Sequence, residues 1–243
     1  YNSFDGGALA TLPYDVQLSE TLTRFKDEGI SDLILDFRYN GGGLVRSAQF
    51  LASAIVPATR NKSNIFEIKK YNPSIQQQLD AMDDTNPTKI SWMYDYFEDE
   101  ITNRENKVLA SIPSLGNQLN NLYVIGTRAT ASASEMIINT LRPYMEENGK
   151  KVIVVGEKTL GKNVGSWAVY KDNDPKNTYV MWPITFKTYN KKMESNYSQG
   201  FEPQIERGDL DIFLQTQKEL KPIGDITETL LEAAIQNITN PQK

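Results

Sequence analysis

The chain has 243 residues, with 26 Lys and Arg against 31 Asp and Glu and a formal net charge of −5. Its length fits one large domain, its 39% hydrophobic content supports a packed core, and its mild acidity offers no basic stripe for nucleic acid or anionic lipid. Cysteine and histidine are both absent, which excludes a disulfide framework, a thiol nucleophile, a Ser-His-Asp triad and the usual zinc sites. A hydrolase made from this chain alone must take its base from a carboxylate, Lys, Tyr or the N-terminal amine. The sequence begins at Tyr1 with no Met and no apolar leader, as expected of a processed or trimmed piece of something longer. No apolar stretch is long enough for a membrane span.

Pro13 followed by Tyr14 to Glu28, with Leu18, Leu22 and Phe25 on one stripe and Gly29 beyond, predicts an amphipathic helix. Leu33 to Phe37 reads as a buried strand running into Asn40-Gly41-Gly42-Gly43, and Leu44, Ala48, Leu51, Ala52 and Ile55 mark a second helix before Pro57. The same grammar of strand, small-residue turn and helix returns at Leu122 to Ile125, Thr130 to Ser134, and Met136 to Leu141. Val152 to Val155 is a third buried strand. Alternating apolar strands and helices predict an α/β fold with a largely parallel sheet. Residues 58–121 are polar with aromatic clusters, and a loop of that length is unusual, so a helical insertion or cap is expected there. Trp167 to Tyr189 alternates as strands do, with a hairpin turn expected at Asp172-Asn173-Asp174-Pro175. Those aspartates lack the glycine and distal glutamate of a calcium loop. A last helix is predicted over Thr227 to Ile238.

Gly156-Glu157-Lys158-Thr159-Leu160-Gly161-Lys162-Asn163 nearly spells a phosphate-binding loop, and nucleotide binding is one reading of it. Against that reading, Asn163 stands where a magnesium-binding hydroxyl is needed, and the continuation from Val164 to Tyr170 looks like a strand instead of the required helix.

Thr130-Ala131-Ser132-Ala133-Ser134-Glu135 carries a more informative pattern, because a serine in a strand-to-helix turn lies at the mouth of a parallel sheet. Ser132 and Glu135 also form the sequence of a capping box, a purely structural role. Flanking alanines permit close approach, the helix N-terminus favours a developing anion, and the glycines after Asn40 leave amide N–H groups for an oxyanion hole. Lys162 is the one credible base in a chain without histidine.

These segments resemble the C-terminal processing, or tail-specific, peptidases, a serine-lysine family with a crotonase-like and Clp-protease-like core. Leu33 to Leu44 resembles the family's strand and glycine loop, with Gly41 where Pro is usual. Thr130 to Glu135 resembles its nucleophile motif, Val154 to Lys162 its lysine segment, and Gly200-Phe201-Glu202-Pro203-Gln204 its late Gly-Ile-x-Pro-Asp element. The resemblance implies an α/β core with mostly parallel buried strands, flanking helices and a helical insertion, together forming one peptidase domain over 1–243. It implies Ser132 as nucleophile, Lys162 as general base, Gly42 and Ala133 N–H groups as the oxyanion hole, and Glu135 as a support. Ser166 stands where the family often has a Gln that orients the amine, so Ser166 is expected to accept from Lys162 or else to leave an impaired, peptide-binding relative. The implied partner is an unstructured polypeptide tail, with no metal or organic cofactor needed, and the implied location is a bacterial periplasm or cell envelope. A PDZ-like module usually precedes such a core and is expected upstream of this chain.

A lysine titrates near ~10.4 in water, so a base working at neutral pH needs surroundings that disfavour its ammonium form by roughly 4 kcal/mol. The sequence therefore predicts a buried Lys162, walled by the strand before Gly156 and by the insertion. In that case its replacement by Ala or Met stabilises the fold at neutral pH.

Overall fold

A computed structural model describes residues 3–8, 10–61, 63–169, 178–208, 213–214 and 220–240. In chain order the elements are α1 (Pro13–Asp27), β1 (Asp32–Asp36), α2 (Val45–Ile55), β2 (Ile65–Tyr71), α3 (Pro73–Asp80), α4 (Pro87–Met93), β3 (Tyr94–Tyr96), β4 (Glu100–Thr102) and β5 (Val108–Ser111). They continue with β6 (Asn121–Gly126), α5 (Ala133–Glu147), β7 (Lys151–Gly156), β8 (Val164–Ser166), β9 (Ile184–Tyr189), β10 (Ile205–Glu206) and α6 (Thr229–Thr239). The turn expected at Asp172 to Pro175 lies outside the described residues.

The three strands read from the sequence as continuous apolar runs, β1, β6 and β7, are joined by the short β10 in one parallel sheet of order β1-β6-β7-β10. Continuous runs are needed because both faces are covered. Leu33, Leu122, Val124, Val152 and Val154 point into a core shared with α1, α2 and α5. The alternate residues Tyr123, Ile125 and Val155 face Leu230, Ala233 and Ala234 of α6. The sheet is thus a middle layer, and the ends of its strands open onto the turns that hold the candidate residues. Phe4 adds a parallel bridge to Gly43, as expected of the tail of a first strand.

Residues 58–121 hold the expected helices, α3 and α4, but also four strands, β2 to β5. Strands β2 and β3 join β9 and β8 in a second, antiparallel sheet of order β3-β2-β9-β8, so the segment is built into the body at a distance no local pattern records. Four rings fasten this joint: Tyr71 lies 5.7 Å from Trp92, 5.6 Å from Trp167 and 6.0 Å from Phe186. Among the described residues no helix is long and apolar enough to cross a membrane.

Arg38 closes the far side of the parallel sheet. It is buried, donates to Asp36 at 3.0 Å and to Glu228 at 2.7 Å, and so joins the end of β1 to the start of α6. Glu228 also caps α6, accepting from the N–H groups of Leu230 at 3.2 Å and Leu231 at 3.1 Å. Burial alone would raise the Glu228 carboxyl, but Arg38 and the two amides outweigh it and hold the group below its usual range. A Glu228→Ala variant leaves a buried guanidinium half paired and is expected to lose about 3–5 kcal/mol. Urea unfolding checks this, with a lower midpoint at unchanged slope as the expected result.

Candidate active site

The chain leaves β6 at Gly126 and turns through Thr127 to Ala131 before α5 begins. That turn is tied to the end of β1: the Thr130 hydroxyl donates to the Phe37 carbonyl at 2.6 Å, and the Ala131 N–H donates to the Asn40 carbonyl at 3.1 Å. Ser132 sits at the apex with φ 58° and ψ −116°. An ordinary helix N-cap has extended backbone, whereas a non-glycine residue at positive φ is strained and persists only where its surroundings hold it.

Glu135 is the group that holds it. The carboxylate is fully buried, and its Oε2 accepts from the Ser132 N–H at 3.0 Å and the Lys162 N–H at 2.8 Å. Its Oε1 accepts from the Thr159 hydroxyl at 2.6 Å and the Gly161 N–H at 2.7 Å. Four donors satisfy the buried group, as burial of a carboxylate requires. Because one oxygen bonds both backbones, the Ser132 and Lys162 nitrogens lie within the sum of those two distances.

The lysine segment is fixed from its other side by the late glycine element. Thr159 N–H donates to the Phe201 carbonyl at 3.1 Å, and Phe201 N–H donates to the Thr159 hydroxyl at 2.7 Å. Gly161 and Gly200 allow this approach: both have positive φ, and a Cβ on Gly161 would stand 2.5 Å from the Gly200 nitrogen.

Three expectations need correction. Lys162 is exposed, and its amine has no hydrogen bond or ion pair among the described residues. The segment leaves the protein body between Leu160, itself 59% exposed, and the buried Asn163, so the expected dry wall is missing. Ser166 is half-buried on β8 and makes no side-chain hydrogen bond among the described residues, so it does not orient the Lys162 amine here. The Gly42 N–H is not free, since it donates to Asn40 Oδ1 at 2.9 Å. Gly42 is nonetheless where expected: a Cβ on it would lie 2.6 Å from the Ser132 Cβ and 3.1 Å from the Ala133 nitrogen. The Ala133 N–H, the first of α5, has no acceptor among the described residues. After Asn163 the chain continues as β8, not as a helix, so the near-phosphate loop lacks the N-terminus that would cradle phosphates.

A profile of peptidase family S41 matches residues 1–207. The chain belongs to peptidase family S41. Among solved structures it is similar to a Bacteroides fragilis protein assigned to the S41 proteases, with 27% identity over 100% of this chain and 54% of that one, at TM-score 0.74. A Parabacteroides merdae protein assigned as a peptidase shares 18% identity over 97% of this chain and 58% of that one, at TM-score 0.54. The photosystem II D1 C-terminal processing protease shares 18% identity over 85% of this chain and 41% of that one, at TM-score 0.50. The latter two show the fold, and the chain spans about half the length of the proteins it matches. No curated protein matches it.

A cleft of about 660 Å³ is lined by Val45, Arg46, Lys69, Asp95, Ser166 and Trp167, among others, with Gly42, Ser132 and Lys162 outside its lining. Next to Lys69 lies a carboxylate that the sequence reading did not single out. Glu67 is fully buried with neither oxygen hydrogen-bonded, 4.0 Å from Lys69 Nζ, which itself pairs with Asp95 at 2.5 Å. Burial pushes the Glu67 carboxyl up, to about 8; Lys69 opposes the rise and Asp95 adds to it. Tyr197, hydrogen-bonded to Thr188 at 2.8 Å, is likewise raised by burial, with Glu135 and Glu67 adding to the rise. The only sequence signal for Glu67 was an acid amid apolar residues of a strand.

The native state therefore holds a proton on Glu67 that the unfolded chain releases above about pH 4.5. Stability is expected to fall as pH rises from there through about 8. Melting temperatures across that range check this: Glu67→Gln removes the decline and is the more stable protein at the alkaline end.

Proposed function

We propose that this chain is the catalytic core of a serine endopeptidase that works through a Ser132–Lys162 dyad on the unstructured C-terminal tails of polypeptides. The observation that carries the proposal is the Glu135 carboxylate, which gathers the backbone of the nucleophile and the backbone of the base onto one oxygen. In the reaction the Ser132 hydroxyl attacks the scissile carbonyl while its proton passes to the Lys162 amine. The oxyanion is met by the Ala133 N–H at the start of α5 and, once it is released, by the Gly42 N–H. The tetrahedral intermediate collapses to an acyl-enzyme as the lysine returns the proton to the departing amine, and water then repeats the cycle in reverse.

Exposure of Lys162 gives the substrate a second task. A tail lying in the cleft beside Trp167 and Ser166 covers the amine and excludes water, supplying on binding the low-dielectric wall that the folded chain does not. Glu135 is a positioning residue in this scheme, not a proton carrier. One further reading, a peptide-binding relative without turnover, is favoured by the unbonded Ser166. The family resemblance supports a bacterial periplasm or cell envelope as the location, and that location is part of the proposal.

Cleavage of an unfolded protein with an apolar C-terminus, followed by product mass, tests the scheme. Ser132→Ala is expected to abolish cleavage, and Lys162→Ala to reduce kcat by roughly 10²–10⁴. Because Lys162 is exposed, its replacement is expected to change stability by no more than about 0.5 kcal/mol, in place of the gain a buried amine predicts. Cleavage that survives Ser132→Ala sinks the nucleophile assignment. Tail binding without cleavage in the presence of the upstream part of the protein favours the non-catalytic reading.

A further inference from the structure

An oxyanion hole needs N–H groups with no other acceptor, and one of the two amides bordering Ser132 is already engaged. Gly42 packs against the nucleophile more closely than any side chain allows, with its hypothetical Cβ 2.6 Å from the Ser132 Cβ. Its N–H donates to Asn40 Oδ1 at 2.9 Å. Only the oxygen of that side chain can face a donor, which fixes the orientation of the amide. Asn40 is itself immobilised: it is fully buried, and its backbone carbonyl accepts from the Ala131 N–H at 3.1 Å and the Ser134 hydroxyl at 3.0 Å. The acceptor that occupies Gly42 is thus bolted to the same elbow that carries Ser132.

We infer that Asn40 is a latch on the oxyanion hole: in the resting protein its side chain holds the Gly42 N–H, and productive binding turns that N–H from Asn40 to the substrate carbonyl. The inference rests on the reading of Ser132 as nucleophile. Gly42, at φ 108°, has the backbone freedom such a rotation needs, because no Cβ hinders it. The strengths also fit. A neutral hydrogen bond of this kind shifts an equilibrium by roughly fivefold, which a bound substrate can overcome. An oxyanion donor withheld lowers the rate by roughly 10²–10³, so reaction runs through the roughly one molecule in six whose latch is open, and the latch slows the site about fivefold. Asn40 is a positioning residue here, since it touches the donor and not the reacting atoms.

The test is the rate at which an alkyl fluorophosphonate labels Ser132, read by mass spectrometry. In that reaction the Ser132 Oγ–P bond forms as the P–F bond breaks, fluoride leaves, the hydroxyl proton passes to Lys162, and the phosphoryl oxygen takes the oxyanion position. Asn40→Ala is expected to raise the labelling rate about fivefold, because it frees the Gly42 N–H. Asn40→Asp keeps the shape of the side chain and strengthens the bond with charge, and is expected to slow labelling about fivefold, with a thermal melt of each variant establishing that it is folded. Tail-peptide binding to Ser132→Ala protein is expected to tighten by up to about fivefold with Asn40→Ala and to weaken with Asn40→Asp, opposite signs that separate the latch from general damage to the loop, which weakens both. Labelling that is unchanged or slower in Asn40→Ala overturns the latch while leaving the nucleophile standing. Failure of every variant to label at Ser132 overturns both.

Discussion

A single buried carboxylate organises this molecule's chemistry. Glu135 lies at the start of α5 with no exposure to solvent, where an unpaired carboxylate would be prohibitively costly. Its solution is to collect donors from two segments of the chain, the serine elbow and the lysine loop, so that satisfying one buried group forces both into register. The strain at Ser132 is sustained by the same contact, together with the bonds that Thr130 and Ala131 make to the end of β1. Folding free energy and catalytic geometry are therefore not separable here. The parallel sheet contributes the platform, because β1, β6 and β7 run the same way and deliver the glycine loop, the serine elbow and the lysine loop to one end.

This explains which parts of the fold were legible in the sequence. The strands of the parallel sheet were visible because burial on both faces leaves no room for polar residues, α1 and α6 because an apolar stripe of each meets the core, and α2 because its small and apolar residues are buried almost throughout. The serine turn was visible for a chemical reason: small residues and a capping pair between strand and helix are uncommon without a need for close approach. The insertion was less legible. Strand β2 is held by pairing with β9 more than a hundred residues later, and the three-residue β3 by pairing with β2, neither of which local periodicity encodes. Arg38 and Glu228 stand 190 positions apart, and neither carries a local sign of its partner.

The candidate residues divide along the same line. Which residues meet was readable, since Ser132, Glu135, Gly42 and Ala133 come together through backbone motifs with fixed local geometry. How each is solvated was not. Exposure of Lys162 and engagement of the Gly42 N–H are tertiary quantities, set by what the second sheet covers and by where a neighbouring side chain turns. A glycine-rich loop announces that amides can approach a ligand but says nothing of whether they are already bonded.

Those two quantities share a consequence. A peptidase with a buried neutral lysine and an open oxyanion hole would be competent at all times, and would hold a desolvated amine in its folded state whether or not substrate was present. Here the lysine is exposed and one donor is occupied, and in the proposed scheme both change when a polypeptide enters the cleft. Binding energy from the tail then does two jobs at the reacting centre, drying the amine and turning the Gly42 N–H, each of which favours the transition state over the free protein. On that proposal a long, extended substrate gains most from the arrangement, because a small molecule at Ser132 can take the Gly42 N–H but leaves the amine hydrated.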